Sequence, residues 1–160
     1  MMNKLYLKLL ILPCVIIITL FTSCNKEKKL IELIGGGYTL EYASIDGEDV
    51  TALLLNDTVN LSSLVIAKNE EVGSPFFFYF DPIDDYYAYS SAFSFVDENT
   101  LSIYNREWGY NIPAFVDDNI AFLPFSKQER IILNIETLSE NQFSFNTIYL
   151  DKTYKYEFKD

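Results

Sequence analysis

The sequence contains no histidine among its 160 residues, and its cysteines are Cys14 and Cys24. Without an imidazole there is no Ser–His or Cys–His pair to activate a nucleophile and no zinc site built on histidine nitrogen. A hydrolase with this sequence would have to work with carboxylates alone. Glycine and proline are also sparse, at 6 and 5 residues. Because 49% of the residues are hydrophobic, the chain is too apolar to be disordered.

The first 23 residues have the pattern of a secretory signal peptide. Lys4 and Lys8 precede an uncharged run from Leu9 to Phe21, and no acidic residue occurs before Glu27. A basic start followed by a short apolar stretch and small residues is typical of such signals. A retained membrane span is the less favoured alternative, because the run is shorter than the roughly 20 residues that a membrane helix needs.

The signal ends in Leu20-Phe21-Thr22-Ser23-Cys24, which resembles the lipobox of bacterial lipoproteins. The resemblance implies cleavage before Cys24, a diacylglyceryl thioether on its sulfur and acylation, for example by palmitate, of the new amine. Each buried methylene of such an anchor contributes about 0.8 kcal/mol, so two or more acyl chains hold a protein on a membrane stably. We therefore expect a lipoprotein of the outer membrane that faces the periplasm or the cell surface.

Cleavage would divide the chain into residues 1–23 as signal peptide, 24–30 as polar tether and 31–160 as one β domain. It discards Cys14 and leaves Cys24 lipidated, so the exported domain has neither a disulfide nor a thiol ligand for a metal. All 23 acidic residues but only 10 of the 12 basic ones lie in 24–160. Such an acidic chain disfavours contact with a phosphate backbone, and we expect no nucleic-acid partner.

Aromatic residues are the compositional surplus, at 16% of the chain, and they favour pleated sheet over helix. Short apolar runs recur between polar turn clusters at the spacing of about 8–12 residues that is typical of sandwiches and barrels. The clearest run is the last, in which Tyr154, Tyr156 and Phe158 alternate with charged residues. We predict an all-β fold of eight or nine antiparallel strands. Asp49 is predicted to cap one short helix through Leu55, after the first strand.

Three connectors share the order of a polar residue, an acid and an asparagine: Asp97-Glu98-Asn99, Asp117-Asp118-Asn119 and Ser139-Glu140-Asn141. Asparagine and aspartate bond their own backbone and tolerate left-handed dihedrals, so all three connectors predict hairpin turns. On this pattern Ile120 and Phe122 belong to a strand that follows the second connector.

Four segments together resemble the lipocalin-like domains of small bacterial lipoproteins. Gly36-Gly37-Tyr38 opens the first strand, a segment with Trp108 lies in the middle, Ile135–Ser139 ends a strand, and a Tyr-x-Tyr-x-Phe strand at Tyr154 closes the chain. The resemblance implies an antiparallel meander closed into a lipocalin-like barrel or half-barrel. It implies no activity, because one fold serves many functions.

Aromatic residues with polar tips are the first candidates for a binding site. Tyr87 and Tyr89 share one face of a regular strand, and Trp108 and Tyr110 follow them along the chain. Flat apolar rings with a hydroxyl or N–H suit sugars and amphipathic ligands. The alternative is that these rings fill the core, since pattern does not separate a cavity from a core.

Acidic clusters are weaker candidates. Asp81, Asp84 and Asp85 bring carboxylates together as a calcium site requires, but their spacing matches no EF-hand loop. The pairs Asp84-Asp85 and Asp117-Asp118 would suit acid and base roles if their environments split their pKa values, yet adjacent acids in turns are usually a solvated face. Gly35-Gly36-Gly37 lacks the rest of a phosphate-binding loop. We expect no metal, no cofactor and no enzymatic activity.

These observations predict a non-enzymatic, membrane-anchored domain that binds a small apolar or glycan ligand. The first alternative is a structural or accessory subunit that docks on another envelope protein. The second alternative is an enzyme that depends on carboxylates. A tyrosine-lined open cavity would favour the ligand, and a filled barrel with exposed apolar residues would favour docking. Two convergent buried carboxylates would favour the enzyme.

Overall fold

The structure, a computed structural model, describes residues 32–33, 35–55, 61–66, 75–80, 87–108 and 118–160. Within these ranges the description of 75–80, 87–90 and 105–108 is confined to the backbone. The chain divides into two compact units, residues 1–32 and 33–160. All the strands of the described residues lie in the second unit.

Nine strands and two short helices make up the described part of that unit. The helices are α1 (Thr51–Leu54) and α2 (Leu123–Lys127). The strands are β1 (Gly36–Ile45), β2 (Glu48–Asp49), β3 (Ser63–Ile66), β4 (Pro75–Phe80), β5 (Tyr87–Asp97), β6 (Thr100–Trp108), β7 (Ile131–Ser139), β8 (Gln142–Tyr149) and β9 (Lys152–Lys159).

Every strand pairing is antiparallel, and the order of pairing is circular. From β3 to β9 each strand pairs with its neighbour in the chain, and β9 then pairs with β1 from Thr39↔Lys159 to Ile45↔Tyr154. β1 also pairs with β3, while the two-residue β2 pairs with the end of β1. The predicted all-β antiparallel meander is confirmed, and the β1–β9 pairing is compatible with the predicted barrel or half-barrel. The predicted short helix is α1, which follows β2, and α2 is a second helix that the sequence pattern did not predict.

Strand alternation places the core where the apolar periodicity predicts it. In β9 the side chains of Tyr154, Tyr156 and Phe158 are buried, whereas Lys155 and Glu157 are half-buried on the other face. Ile131 and Leu133 of β7 follow the same rule. Period-two burial of this kind is what a sheet with one face on a core requires.

The outer face of β7, β8 and β9 carries a polar network. Lys155 Nζ lies 3.0 Å from Glu136 Oε2 and 2.9 Å from Glu157 Oε1. Asn146 Nδ2 donates to Glu136 Oε1 at 2.8 Å. The hydrogen bond from the Asn146 side chain and the interaction with Lys155 lower the pKa of Glu136. The hydrogen bonds of Lys155 to Glu157 and Glu136 raise the pKa of Lys155. Because these pairs are partly solvated, they add little to stability. They link neighbouring positions of β7, β8 and β9 and so favour the observed register of the three strands.

The polar connectors form turns in two of three cases. Glu98 and Asn99 form the β5–β6 turn, where Asn99 N donates to Asp97 Oδ1 at 2.8 Å, and Glu140 and Asn141 form the β7–β8 turn. The strand predicted at Ile120 and Phe122 is wrong, because these residues lie in a turn that leads into α2. Asn119 Oδ1 accepts from Ala121 N at 2.9 Å, and Pro124 stands in the first turn of α2, where its missing N–H costs nothing.

α1 begins at Thr51, so its N-cap residue is Val50 and not the predicted Asp49. Asp49 Oδ1 nevertheless accepts a hydrogen bond from Thr51 N at 2.9 Å. Hydrogen bonds from Thr51 lower the pKa of Asp49. Thr51 Oγ1 in turn accepts from Ala43 N at 2.9 Å. The helix is therefore held against β1 by one threonine.

The β8–β9 turn has an unusual composition. Its two central residues, Leu150 and Asp151, have φ of 48° and 59°, as a type I′ turn requires. Asparagine and glycine favour that conformation, whereas a leucine in the left-handed region is strained by about 1–2 kcal/mol. Leu150 is nevertheless 74% exposed, so no packing within the described residues compensates for the strain.

We predict that Leu150→Asn raises the free energy of unfolding by about 1 kcal/mol, because asparagine adopts positive φ with less strain. Urea unfolding of the two proteins measures the difference. Leu150→Ala is the control, since alanine keeps a Cβ in the left-handed region and brings no side-chain hydrogen bond. An equal gain from both substitutions would contradict the account of strain.

Candidate functional site

Most of the sequence-predicted site residues are not described with their side chains. Cys24, Tyr110, Asp81, Asp84, Asp85 and Asp117 lie outside the described residues, and Tyr87, Tyr89 and Trp108 are described by their backbone. Asp118, the remaining member of the acid pairs, is exposed. For Tyr87, Tyr89 and Trp108, the register of β5 and β6 gives the relative positions of the backbone.

The register brings two of the four aromatic candidates together. Tyr89 of β5 lies directly opposite Trp108 of β6, and Tyr87 stands two residues before Tyr89 at the start of β5. The β5–β6 register shifts between Ser90 and Ala92, where β6 has one residue more than β5. A bulge of this kind bends the strand and redirects side chains, and bulges are frequent beside binding sites.

Ser91 stands at this bulge and is the least expected polar group of the interior. Its side chain is 2% exposed, and within the described part of the chain its hydroxyl has no hydrogen-bond partner. A buried hydroxyl without a partner is costly, so such a group usually marks a place for water or a ligand. The polar positions singled out in the sequence did not include Ser91, because nothing in its local pattern separates it from its neighbours Ser90 and Ser94.

The wall formed by β8 and β9 is packed on its inner side by aromatic rings. Five fully buried rings form an aromatic cluster with centroids 5.2–6.4 Å apart from neighbour to neighbour: Phe122, Phe125, Phe143, Phe145 and Tyr156. Tilted and edge-on pairs at these distances are the arrangements that aromatic rings prefer. α2 supplies Phe125 to this cluster, so the helix covers this part of the core, and we call α2 the plug.

A buried hydrogen bond fixes the plug to the sheet. Tyr156 Oη donates to the carbonyl oxygen of Ala121 at 2.7 Å. Burial, and to a smaller extent the neighbouring Tyr154, raises the pKa of Tyr156 well above its ordinary value. Burial likewise raises the pKa of Tyr154 and of Tyr38. The tyrosines of the interior are therefore neutral packing groups at physiological pH.

The ends of the sheet differ in their apolar exposure. The β1–β2 turn, the β8–β9 turn, α1 and α2 lie at one end, which we call the distal end, and β1 begins at the other. Of the exposed large hydrophobic side chains in the described residues, Val96 lies at the β5–β6 turn. The others lie at or near the distal end: Leu53, Leu55, Ile120, Ile132, Ile148 and Leu150.

The described residues contain no group of three or more cysteine and carboxylate side chains placed to hold a metal ion. In the same residues no helix has the length and apolar character of a membrane span. No family model, curated protein or solved structure matches the chain.

We predict that Tyr156→Phe lowers the free energy of unfolding by about 1–2 kcal/mol at neutral pH, because it leaves the buried carbonyl of Ala121 unpaired. The folded state keeps Tyr156 protonated above the pKa of about 10 of an unfolded tyrosine. Its contribution is hence present below about pH 10 and is lost as the pH rises toward the folded pKa.

The alkaline loss of stability should therefore be smaller in Tyr156→Phe than in the wild type. Urea unfolding at about pH 7 and about pH 11 measures both effects. Tyr149→Phe is the control at neutral pH, since Tyr149 is half-buried on β8 and its hydroxyl makes no hydrogen bond within the described residues. Equal losses at neutral pH from the two variants would show that the Tyr156–Ala121 bond does not hold α2 in place.

Proposed function

We propose that this chain is a lipid-anchored, non-enzymatic domain of the bacterial cell envelope that docks on another envelope protein. Its anchor is the lipidated Cys24, and its membrane is the outer membrane, with the domain facing the periplasm or the cell surface. The basic start, the short apolar run and the small residues before Cys24 support this part of the proposal.

One observation carries the docking role: large apolar side chains are exposed at the distal end. They are not needed to complete the core there, because aromatic rings already pack the inner side of β8 and β9. Leu150 is 74%, Ile148 63% and Ile120 53% exposed. Single exposed hydrophobic residues need no explanation, but a group at one end of a domain is typical of an interaction site. Because its inner side is packed, the β8–β9 wall can contact another molecule only through its outer surface and its distal end.

The absence of histidine supports a non-enzymatic role, because acyl transfer by Ser–His or Cys–His pairs is excluded by composition. The described acids of the distal end, Asp46, Glu48, Asp49, Asp118, Glu129 and Asp151, are all exposed. Catalytic carboxylates generally need the partial burial that shifts their pKa values. Exposed acids are better suited to a charged contact surface.

We predict that the full chain, expressed in its own bacterium, incorporates a fatty-acid label and that Cys24→Ala does not. Cys14→Ala is the matched control and should remain labelled, because Cys14 leaves with the signal peptide. After solubilisation in mild detergent, the wild-type protein should migrate on a native gel in a complex larger than the purified chain. Equal labelling of Cys24→Ala would refute the anchor. Docking would be refuted if the solubilised wild-type protein migrated as a monomer, like the purified chain.

A second candidate function is the binding of a small apolar or glycan ligand between β4, β5 and β6. The observation that favours it is the hydroxyl of Ser91 at the bulge, which is buried and has no hydrogen-bond partner among the described residues. Tyr89 stands two residues before Ser91 in β5, and its backbone pairs with that of Trp108. Tyr87 and Tyr110 would complete the site, as in a lipocalin-like domain with an interior ligand.

Replacement of Ser91 distinguishes an occupied site from an empty one. If no ligand is bound, Ser91→Ala removes a buried unpaired hydroxyl and should raise the free energy of unfolding by roughly 1 kcal/mol. If the site takes a ligand, the wild type should bind an environment-sensitive apolar dye, and Ser91→Ala should weaken that binding about threefold to tenfold.

Ser102→Ala is the matched control for Ser91→Ala. Ser102 Oγ is buried and accepts from Arg130 Nε at 2.8 Å. Its loss should therefore destabilise the fold by about 1–2 kcal/mol rather than stabilise it. A wild-type protein that never binds the dye, together with a stabilised Ser91→Ala, would end the case for an interior ligand.

A further inference from the structure

Five exposed apolar side chains at the distal end form a feature that we call the distal rim: Leu53, Leu55, Ile120, Ile148 and Leu150. One hydrogen bond joins α1 to the turn that carries Ile120, and a second joins the β1–β2 turn, which precedes β2 and α1 in the chain, to β9, the partner strand of β8. Asn119 Nδ2 donates to the carbonyl oxygen of Leu53 at 2.9 Å, which places Ile120 beside α1. Asp46 N donates to the carbonyl oxygen of Thr153 at 2.8 Å, which joins the β1–β2 turn to β9.

The β8–β9 side of the distal rim is ordered by strand pairing. Ile148 lies directly opposite Thr153, and Thr153 N donates to Asp46 Oδ1 at 2.8 Å. Ile148, Thr153 and Asp46 thus stand side by side across β8, β9 and the β1–β2 turn. Leu150 extends beyond them at the tip of the hairpin, in a strained conformation. Strain of this kind usually persists where function requires the side chain.

Acidic groups outnumber basic ones around the distal rim. The exposed carboxylates of this end are Asp46, Glu48, Asp49, Asp118, Glu129 and Asp151, and its exposed cations are Lys127, Arg130 and Lys152. Charges at the edge of an interface select a partner of complementary sign and accelerate association with it. The rim therefore favours a basic partner.

Two other occupants fit the distal end less well. A second copy in a two-fold contact would bring one acidic end against another, which is unfavourable. A bacterial membrane surface with anionic lipids would also repel the carboxylates.

We propose that the distal rim is the surface through which this domain docks, and that its partner is a protein surface with an apolar centre surrounded by lysine or arginine. This inference rests on the docking function proposed above and specifies its site and its partner's chemistry. The apolar side chains supply the buried contact, and the surrounding carboxylates pair with the partner's cations. Leu150, at the tip of the hairpin, is the anchor residue.

The test places a photo-crosslinking amino acid at Ile148 in the full chain in its own bacterium, and at Val96 as the matched control. Val96 is 58% exposed but lies at the β5–β6 turn, away from the distal end. We expect Ile148 to yield one discrete protein adduct whose crosslinked peptide contains apolar residues with lysine or arginine. We expect Val96 not to yield that adduct.

Leu150→Asn, introduced beside the crosslinker at Ile148, separates docking from folding. The substitution is expected to stabilise the fold, yet it removes the apolar anchor and should lower the yield of the adduct about tenfold. In isolated membranes a high salt concentration should lower the yield as well, because rim charges are screened. Unchanged yields in both cases would overturn the proposal.

The remaining outcomes also decide it. Adducts with lipid, with a second copy of this chain, or with an acidic protein surface would each overturn the proposed partner. A large native complex together with no adduct from Ile148 would place docking on another surface and leave the proposed function standing. The absence of both the complex and the adduct would overturn the function and the rim together.

Discussion

The pairing of β1 with β9 is the constraint on which the rest of the structure depends. It joins residues more than 100 positions apart, from Thr39↔Lys159 to Ile45↔Tyr154. β1 pairs with β3 through Gly36–Thr39 and with β9 through Thr39–Ile45, so one strand links the first and last strands of the meander. This pairing gives the sheet an inside and two ends. Without it, the meander would expose two long edges, which are prone to aggregation.

Two different features then form at the distal end. β8 and β9 bring Phe145 and Tyr156 to within 5.3 Å, and α2 places Phe125 over them. The plug packs there because its large apolar side chains are buried against the rings of β8 and β9. With the rings enclosed, the remaining apolar side chains of the distal end stand outside. The packed core and the exposed distal rim are therefore two consequences of one topology.

Regular elements were predictable because their signal is local. The alternation of Tyr154, Tyr156 and Phe158 with charged neighbours is enough to predict β9, and the Asp97–Asn99 turn carries its own hydrogen-bonding side chains. The segment at Ile120 and Phe122 was assigned wrongly because two apolar residues at spacing two fit a strand or a turn equally well. Pro124 and the contact with Tyr156 decided in favour of the turn and helix.

The sequence by itself determined the exclusion of histidine chemistry, the all-β class and the buried faces of β7 and β9, because these depend on residue type and near-neighbour spacing. The export and anchoring signal stays a prediction from the same kind of pattern. Only the tertiary structure decided which strands meet, that Ser91 at a bulge has no hydrogen-bond partner among the described residues, and that Leu150 is exposed at positive φ. The same structure gathered Leu53, Ile120 and Ile148 at one end. Such properties arise from groups far apart in the chain, and local pattern carries no information on their distances.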